Sequence, residues 1–186
     1  GLCEPLLRKH CDDKFIGVTF RPATVCGYSP RLRLDLSVNI LTNHAVSNNL
    51  IKVFGGDQLR PNLHIKDYCS VIENLIHAPS NIINKNIYNV GYQNKTIYEI
   101  AQIVKKVVEK EFPGKNIEII KTKSDDIRSY HINSDKIKEE LNFVPKLTIE
   151  NAVEDLCKAF KQNLIQNSFE NDIYYNVKTL KKFKIK

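Results

Sequence analysis

Methionine and tryptophan are absent from the 186 residues, and only seven glycines occur. No apolar run approaches the roughly 20 residues that cross a bilayer, so no membrane span is expected. The first residues, "GLCEPLLRKHCDDK", are mixed and charged and do not read as a signal peptide. The glycines never form G-x-G-x-x-G, and no P-loop, G-x-S-x-G or H-E-x-x-H motif is present. The five cysteines, Cys3, Cys11, Cys26, Cys69 and Cys157, are odd in number and lack C-x-x-C spacing. That argues against a zinc site or a disulfide framework and for a reducing, cytoplasmic setting, with each cysteine a small hydrophobe. The five histidines lie far apart, so no metal site is expected. A chain without methionine that starts at Gly1 points to a fragment of a longer protein.

What remains is an ordinary globular composition, 42% hydrophobic and 26% charged, long enough for one sizeable domain. The formal net charge is +7, part of it in the tail "NVKTLKKFKIK". A basic chain can serve a polyanionic partner, but a lysine-rich composition with solvated lysines accounts better for the excess. No aromatic-interleaved basic stripe supports nucleic-acid binding.

Short strand-like runs alternate with amphipathic helical ones, the pattern of an α/β protein. Residues 3–12 read as the end of a helix. Phe15 to Pro22 reads as a strand stopped by proline. "TVCGYSPRLR" reads as a loop punctuated by Gly27 and Pro30. Asp35 can cap a helix that turns Leu36, Ile40, Leu41 and Ala45 to one side. "IKVFGG" reads as a strand ending in a glycine turn, Lys66 to His77 as a helix with Asp67 as its N-cap, and "NIYNVG" as a strand. Thr96 and Glu99 form a capping box ahead of the stripe Ile97, Ile100, Ala101, Val104, Val107 and Val108. Pro113-Gly114 ends that helix, "NIEII" follows as a strand, and "YHIN" as a short extended segment. Ser134 and Thr148 are expected to cap two further helices, the second burying Ala152, Val153, Leu156 and Phe160. After Gln162 periodicity fades, and an extended or loosely docked tail is expected.

The densest run is "GGDQLRPNLHIKD", Gly55 to Asp67, in which a glycine turn, an arginine and a strand-like exit follow one another. Together with "VTFRPATVCG", "YNVG", "TIYEIA", "DIRSYHINSDKI" and "LNFVPKLTIENAV", it resembles the C-terminal part of extended short-chain dehydrogenases/reductases. The resemblance is specifically to the NAD-dependent nucleotide-sugar epimerase/dehydratase group. Each motif alone is weak, but their order along nearly the whole chain is specific. "GLCEPLLRKH" is similar to the stretch that directly follows the family's catalytic Y-x-x-x-K.

The resemblance implies an α/β fold, the C-terminal portion of a Rossmann-type extended fold with its substrate-binding subdomain, the N-terminal dinucleotide-binding half missing. Residues 1–34 would close the Rossmann-like domain, 35–162 would form the substrate-binding subdomain, and 163–186 the basic tail. It further implies hydride-transfer chemistry on a nucleotide-diphosphate sugar, as epimerase, dehydratase or related oxidoreductase. No catalytic residue is assigned to this chain. NAD or NADP would be bound mainly by the missing half, which is an expected partner, as is a second copy in a homodimer. The alternatives are a non-catalytic basic binding module or a pseudo-enzyme scaffold.

A diphosphate needs a cationic clamp, for which arginine's planar, permanently charged fork is suited. Arg60 matches the family's phosphate-binding loop arginine and Arg128 its second arginine. The competing reading of each is a surface ion pair, for Arg128 with Asp125 or Asp126. Phe54 could pack on the base, or be an ordinary strand residue. Backbone groups of Lys52 and Val53 could meet the base edge. Thr24 stands where many relatives carry an asparagine that touches the diphosphate, and its hydroxyl can donate. Pro22 and Ala23 fall where the backbone passes the nicotinamide. Asp35, Leu36 and Asn39 begin a helix whose positive end can meet an anion, or Asp35 is only a cap. Arg31 and Arg33 could add positive potential. His64 reads as a packing and hydrogen-bonding residue.

Overall fold

Of the stripe expected on α5 (Ile97–Glu111), Ile100, Ala101, Val104, Val107 and Val108 are buried, while Ile97 at the helix start is half-buried. The capping box forms as the sequence predicts. Thr96 Oγ1 accepts from Glu99 N at 3.1 Å, and Glu99 Oε2 accepts from Thr96 N at 2.8 Å. This satisfies two of the otherwise orphaned donors at the helix start. The buried side of α5 meets α2 (Ser37–Asn48) and α7 (Ile149–Lys161) in the largest core cluster. Thr148 starts α7 with a second capping box, here to Asn151.

The computed structural model describes residues 1–125 and 128–183. Asp126, named above as a partner for Arg128, part of "DIRSYHINSDKI" and the last three residues of the basic tail lie outside the described residues. In chain order the remaining elements are α1 (Cys3–His10), β1 (Thr19–Pro22), β2 (Thr24–Cys26), β3 (Leu50–Phe54), β4 (Leu59–His64), α3 (Ile65–His77), α4 (Ser80–Ile83), β5 (Ile87–Val90), β6 (Gln93–Thr96), β7 (Glu118–Thr122), α6 (Asp135–Leu141), a 3-10 turn (Asp172–Tyr174) and α8 (Asn176–Lys182).

The strands pair in three small groups. β1 runs parallel to β5 and β3 parallel to β7, while β4 pairs parallel with β2 and antiparallel with β6. Parallel pairing with helical crossovers is the α/β architecture expected from the alternation of elements. A second cluster, with Leu63, Val71, Tyr88, Val90 and Ile137, packs α3 and α6 on β1 and β5. A third joins Leu32 and Leu34 to Leu156, Ala159 and Ile165.

Several local expectations are corrected. The first strand begins at Thr19, because Asp12 Oδ1 accepts from Lys14 N and Phe15 N, each at 2.8 Å, and turns the chain there. Residues 24–26, read as loop, form β2 beside β4. β6 was not anticipated, since "QNKT" has no apolar alternation. "YHIN" adopts no regular strand; Ile132 instead exchanges hydrogen bonds with the Asn94 side chain. Three anticipated caps act elsewhere. Leu36, not Asp35, is the N-cap of α2, and it offers no side-chain bond. His64, not Asp67, caps α3, its Nδ1 accepting from Lys66 N at 3.1 Å, while Asp67 Oδ2 accepts from Lys146 N and Leu147 N. Ser134 Oγ bonds the N–H and carbonyl of Gly91 rather than capping α6. The tail is docked, with Tyr174 and Tyr175 packed on the third cluster.

Candidate functional site

Strand alternation sets the first cleft. Along β3, Ile51 and Val53 point into the core at 0% exposure, while Lys52 and Phe54 point outward. Gly55 and Gly56 then turn the chain at φ of +74° and +121°, values that favour glycine. β4 brings Arg60 alongside. Across the gap, α2 presents Ser37, Ile40, Leu41 and His44, one side of a helix by their spacing. With Gln58, Ile97 and Ser124 these residues line a cleft of about 580 Å³. Its described lining has two basic side chains, Lys52 and Arg60, apolar walls and no carboxylate.

Arg60 is held by its surroundings. Its Nη1 donates to Leu59 O at 2.9 Å and to Arg128 O at 2.5 Å, and the guanidinium lies 5.2 Å from the centre of the Tyr130 ring. Burial, and then the charge of Lys52, lower the pKa of His44 below the usual histidine value, so its imidazole is neutral at physiological pH.

The second cleft, about 400 Å³, is lined by Pro22, Ala23, Thr24, Val25, Gly27, Ser29, Arg31, Arg33, Leu36, Asn39, Ile65 and Tyr68. Asn39, 2% exposed, staples its loop: Oδ1 accepts from Gly27 N at 3.0 Å and Nδ2 donates to Arg33 O at 2.9 Å. Gly27 has φ of +100°, and a Cβ there would stand 3.3 Å from His64 Nε2. The start of α2 separates the two clefts, with Leu36 lining one and Ser37 the other. Its N-cap, Leu36, makes no side-chain bond to the first N–H groups of the helix.

The sequence candidates therefore divide. Lys52, Phe54 and Arg60 meet in the first cleft, and Pro22, Ala23, Thr24, Leu36 and Asn39 in the second. Val53 is core, its carbonyl accepting from Thr122 Oγ1 at 3.3 Å. Arg128 reaches the site through its carbonyl, with its side chain exposed. Asp35 lines neither cleft. Its Oδ1 accepts from Arg33 Nε at 2.9 Å and its Oδ2 from Asn176 N at 3.0 Å. Burial works to raise its pKa, but these bonds and the Arg33 charge hold it below the usual carboxylate value. His64, 1% exposed, is a packing and hydrogen-bonding residue as expected. Ser37, His44 and Ser124 were not singled out from the sequence, and Ile97 was read there only as part of the α5 stripe. Ser37 and His44 were legible in principle, because they share the helical spacing of Ile40 and Leu41.

Pro22 lacks an N–H, and the N–H of Ala23 already donates to Val90 O at 2.7 Å. The two offer an apolar wall to a ring and no backbone N–H for a phosphate. Tyr174 and Lys178 happen to have Y-x-x-x-K spacing. However, Lys178 Nζ donates to Phe169 O and lies over the Tyr175 ring, and Tyr174 packs against the Leu32–Leu34 cluster. Among the described residues no group of three or more His, Cys, Asp or Glu is placed to hold a metal ion, and no helix is long and apolar enough to cross a membrane.

Comparison with known proteins bears on this geometry. The family model described as GDP-mannose 4,6 dehydratase matches residues 28–156. A UDP-glucuronic acid decarboxylase 1 of Arabidopsis thaliana is 26% identical over 154 residues, 80% of this chain and 34% of that protein. Among solved structures, the UDP-glucose 4-epimerase of Thermotoga maritima, determined with UDP-glucose, superposes with a TM-score of 0.71 at 20% identity, covering 87% of this chain and 51% of that one. The UDP-glucuronic acid 4-epimerase of Bacillus cereus, in complex with UDP-glucuronic acid and NAD, gives 0.70 at 22% identity, covering 86% and 50%. The chain thus spans about a third to a half of the length of these proteins. The matched family model covers most of the chain, with the first cleft and the part of the second from Ser29 onward, and the chain belongs to the NAD-dependent epimerase/dehydratase family of extended short-chain dehydrogenases/reductases.

Proposed function

We propose that this chain is the nucleotide-sugar-binding half of an NAD(P)-dependent epimerase or dehydratase. The observation that supports this most directly is the first cleft. It combines apolar walls suited to a base, through Phe54, Ile40 and Ile97, with the Lys52 and Arg60 cations and an uncapped helix start suited to a diphosphate. The second cleft continues on the other side of that helix start, with Arg31, Arg33 and Thr24 at its walls. A diphosphate at the start of α2 would place a sugar along the second cleft, beside Pro22 and Ala23.

NAD or NADP would supply the hydride chemistry and be bound mainly by the other half of the protein, Pro22 and Ala23 contributing a wall. The role of the present residues is to bind the diphosphate and thereby orient the sugar. By itself the chain would turn over nothing.

The test is calorimetric titration of the full chain with UDP, GDP and TDP, followed by amide hydrogen exchange with the tightest binder. Binding of at least one, with protection over residues 37–44 and 52–60, is expected. No heat from any of them at millimolar concentration, or protection confined to the α3–α6 side, overturns the reading.

A further inference from the structure

The C-terminal segment is tied to the walls of both clefts. In the loop that borders the second cleft, Leu34 N donates to Tyr174 O at 2.9 Å. Arg31 Nη1 donates to Ile173 O at 2.5 Å and its Nη2 to Asn176 Oδ1 at 3.2 Å. Asp35 Oδ2 accepts the first N–H of α8, that of Asn176, at 3.0 Å. At the first cleft, the Phe169 ring meets the His44 ring edge-on, with centroids 5.1 Å apart. The residues that frame the start of α2, from Arg31 to His44, are thus held from outside by residues 169–176.

Asp35 has a distinct place in this arrangement. Both of its oxygens are engaged, one by Arg33 and one by the tail, and it lines neither cleft. A carboxylate facing an anionic ligand would also repel it. Yet Asp35 directly precedes Leu36 and Ser37, through which α2 reaches the two clefts. Its influence on a ligand therefore runs through the loop it fixes.

We propose that residues 169–176 form a strap that holds the Arg31–Ser37 loop in its ligand-receiving position, with Asp35 as the positioning residue that fastens the strap. A loop already ordered does not have to be ordered at the expense of binding, so the strap raises affinity without touching the ligand. The inference rests on the reading of the two clefts as a nucleoside-diphosphate site.

Asn176→Pro is a specific probe. It deletes the donated N–H at the first position of a helix, where proline is tolerated, and the preceding Tyr175 already has the extended backbone that proline favours; it also removes the Oδ1 that accepts from Arg31 Nη2, a loss that Asn176→Ala measures alone and against which the Asn176→Pro effect is read. Asp35→Ala and Asn176→Pro are each expected to weaken binding of the nucleoside diphosphate probe by about five- to tenfold. The double variant should be no weaker than the worse single, and Asp35→Asn, which keeps an acceptor for Asn176 N, should recover most of the loss. Additive losses, or no loss, overturn the proposal. If the unaltered chain binds no nucleoside diphosphate, the cleft reading fails and the strap is judged by hydrogen exchange of the ligand-free chain. Faster exchange confined to residues 27–40 in Asp35→Ala and Asn176→Pro supports it, and unchanged exchange there overturns it.

Discussion

Arg60 Nη1 donates to the main-chain carbonyl of Arg128, across 68 residues of chain. The two arginines singled out by motif are therefore joined, the side chain of one to the main chain of the other. The carbonyl and the Tyr130 ring fix the fork of Arg60, and a fixed cation loses less freedom when it meets an anion.

Arg60→Ala should weaken nucleoside-diphosphate binding by about 1.5–3 kcal/mol, the range for a hydrogen bond to a charged group. Arg60→Lys should recover only part of this, because an ammonium has no planar fork. Arg128→Ala preserves the carbonyl that orients Arg60 and should cost less than Arg60→Ala. Calorimetric dissociation constants decide; an unchanged value for Arg60→Ala removes Arg60 from the site.

Thr96→Ala should cost about 1 kcal/mol of stability through loss of the α5 cap. Asp67→Ala should cost more, about 1.5–3 kcal/mol, because its carboxylate accepts from the N–H groups of both Lys146 and Leu147 in the approach to α7. Urea midpoints compare the two, and equal losses would count against the cross-chain role of Asp67.

Stability should fall as pH drops below about 6.5. Burial lowers the pKa of His64; the Asp155 and Asp67 charges oppose this and Lys66 reinforces it, and the net direction is down. A depressed histidine binds its proton in the unfolded chain first, so the stability it confers is present above the unfolded pKa and lost as pH falls toward the folded one. The slope is at most about 1.4 kcal/mol per pH unit for each such group. His64→Asn keeps a capping acceptor for Lys66 N and should flatten the slope, leaving the share due to His44. An unaltered slope in denaturation between pH 6.5 and 5 would rule His64 out as its source.

Thiol reactivity should split in two. Cys3 and Cys69 are exposed and should react promptly with an aromatic disulfide reagent at pH 8. Burial, and then the Asp67 charge, push the Cys26 thiol up to about 12; burial, and then the Glu111 charge, do the same for Cys157. Both should react only as fast as the chain opens, and all five cysteines should react in guanidinium. Prompt reaction of more than two native thiols would contradict the packing around them.

What the sequence made legible is what short-range patterns encode. The Thr96–Glu99 box, the α5 stripe and the alternation of β3 are all local, and each formed where its spacing places it. The misplaced features depend on distant chain. Asp35, Asp67 and Ser134 stand at helix starts and look like caps, yet their oxygens reach Asn176, Lys146 and Gly91. β6 is polar because its pairing with β4 is a matter of backbone, to which "QNKT" gives no hydrophobic clue. At the site, motif order brought out Arg60, Lys52 and Phe54, whereas Ser37 and His44, legible only as one side of a helix with Ile40 and Leu41, enter the cleft because α2 is laid beside β3.

The strand register has a kinetic meaning. Two of the three groups close by joining Thr19 to Ile87 and Leu50 to Glu118, each a parallel pairing between far-separated segments. The entropy of closing such loops is lost before any contact rewards it. Folding of this chain should therefore be slow for its size. Until the late pairings form, the edges of β1 and β3 are open to the equivalent strands of other molecules, so refolding yield should depend steeply on protein concentration.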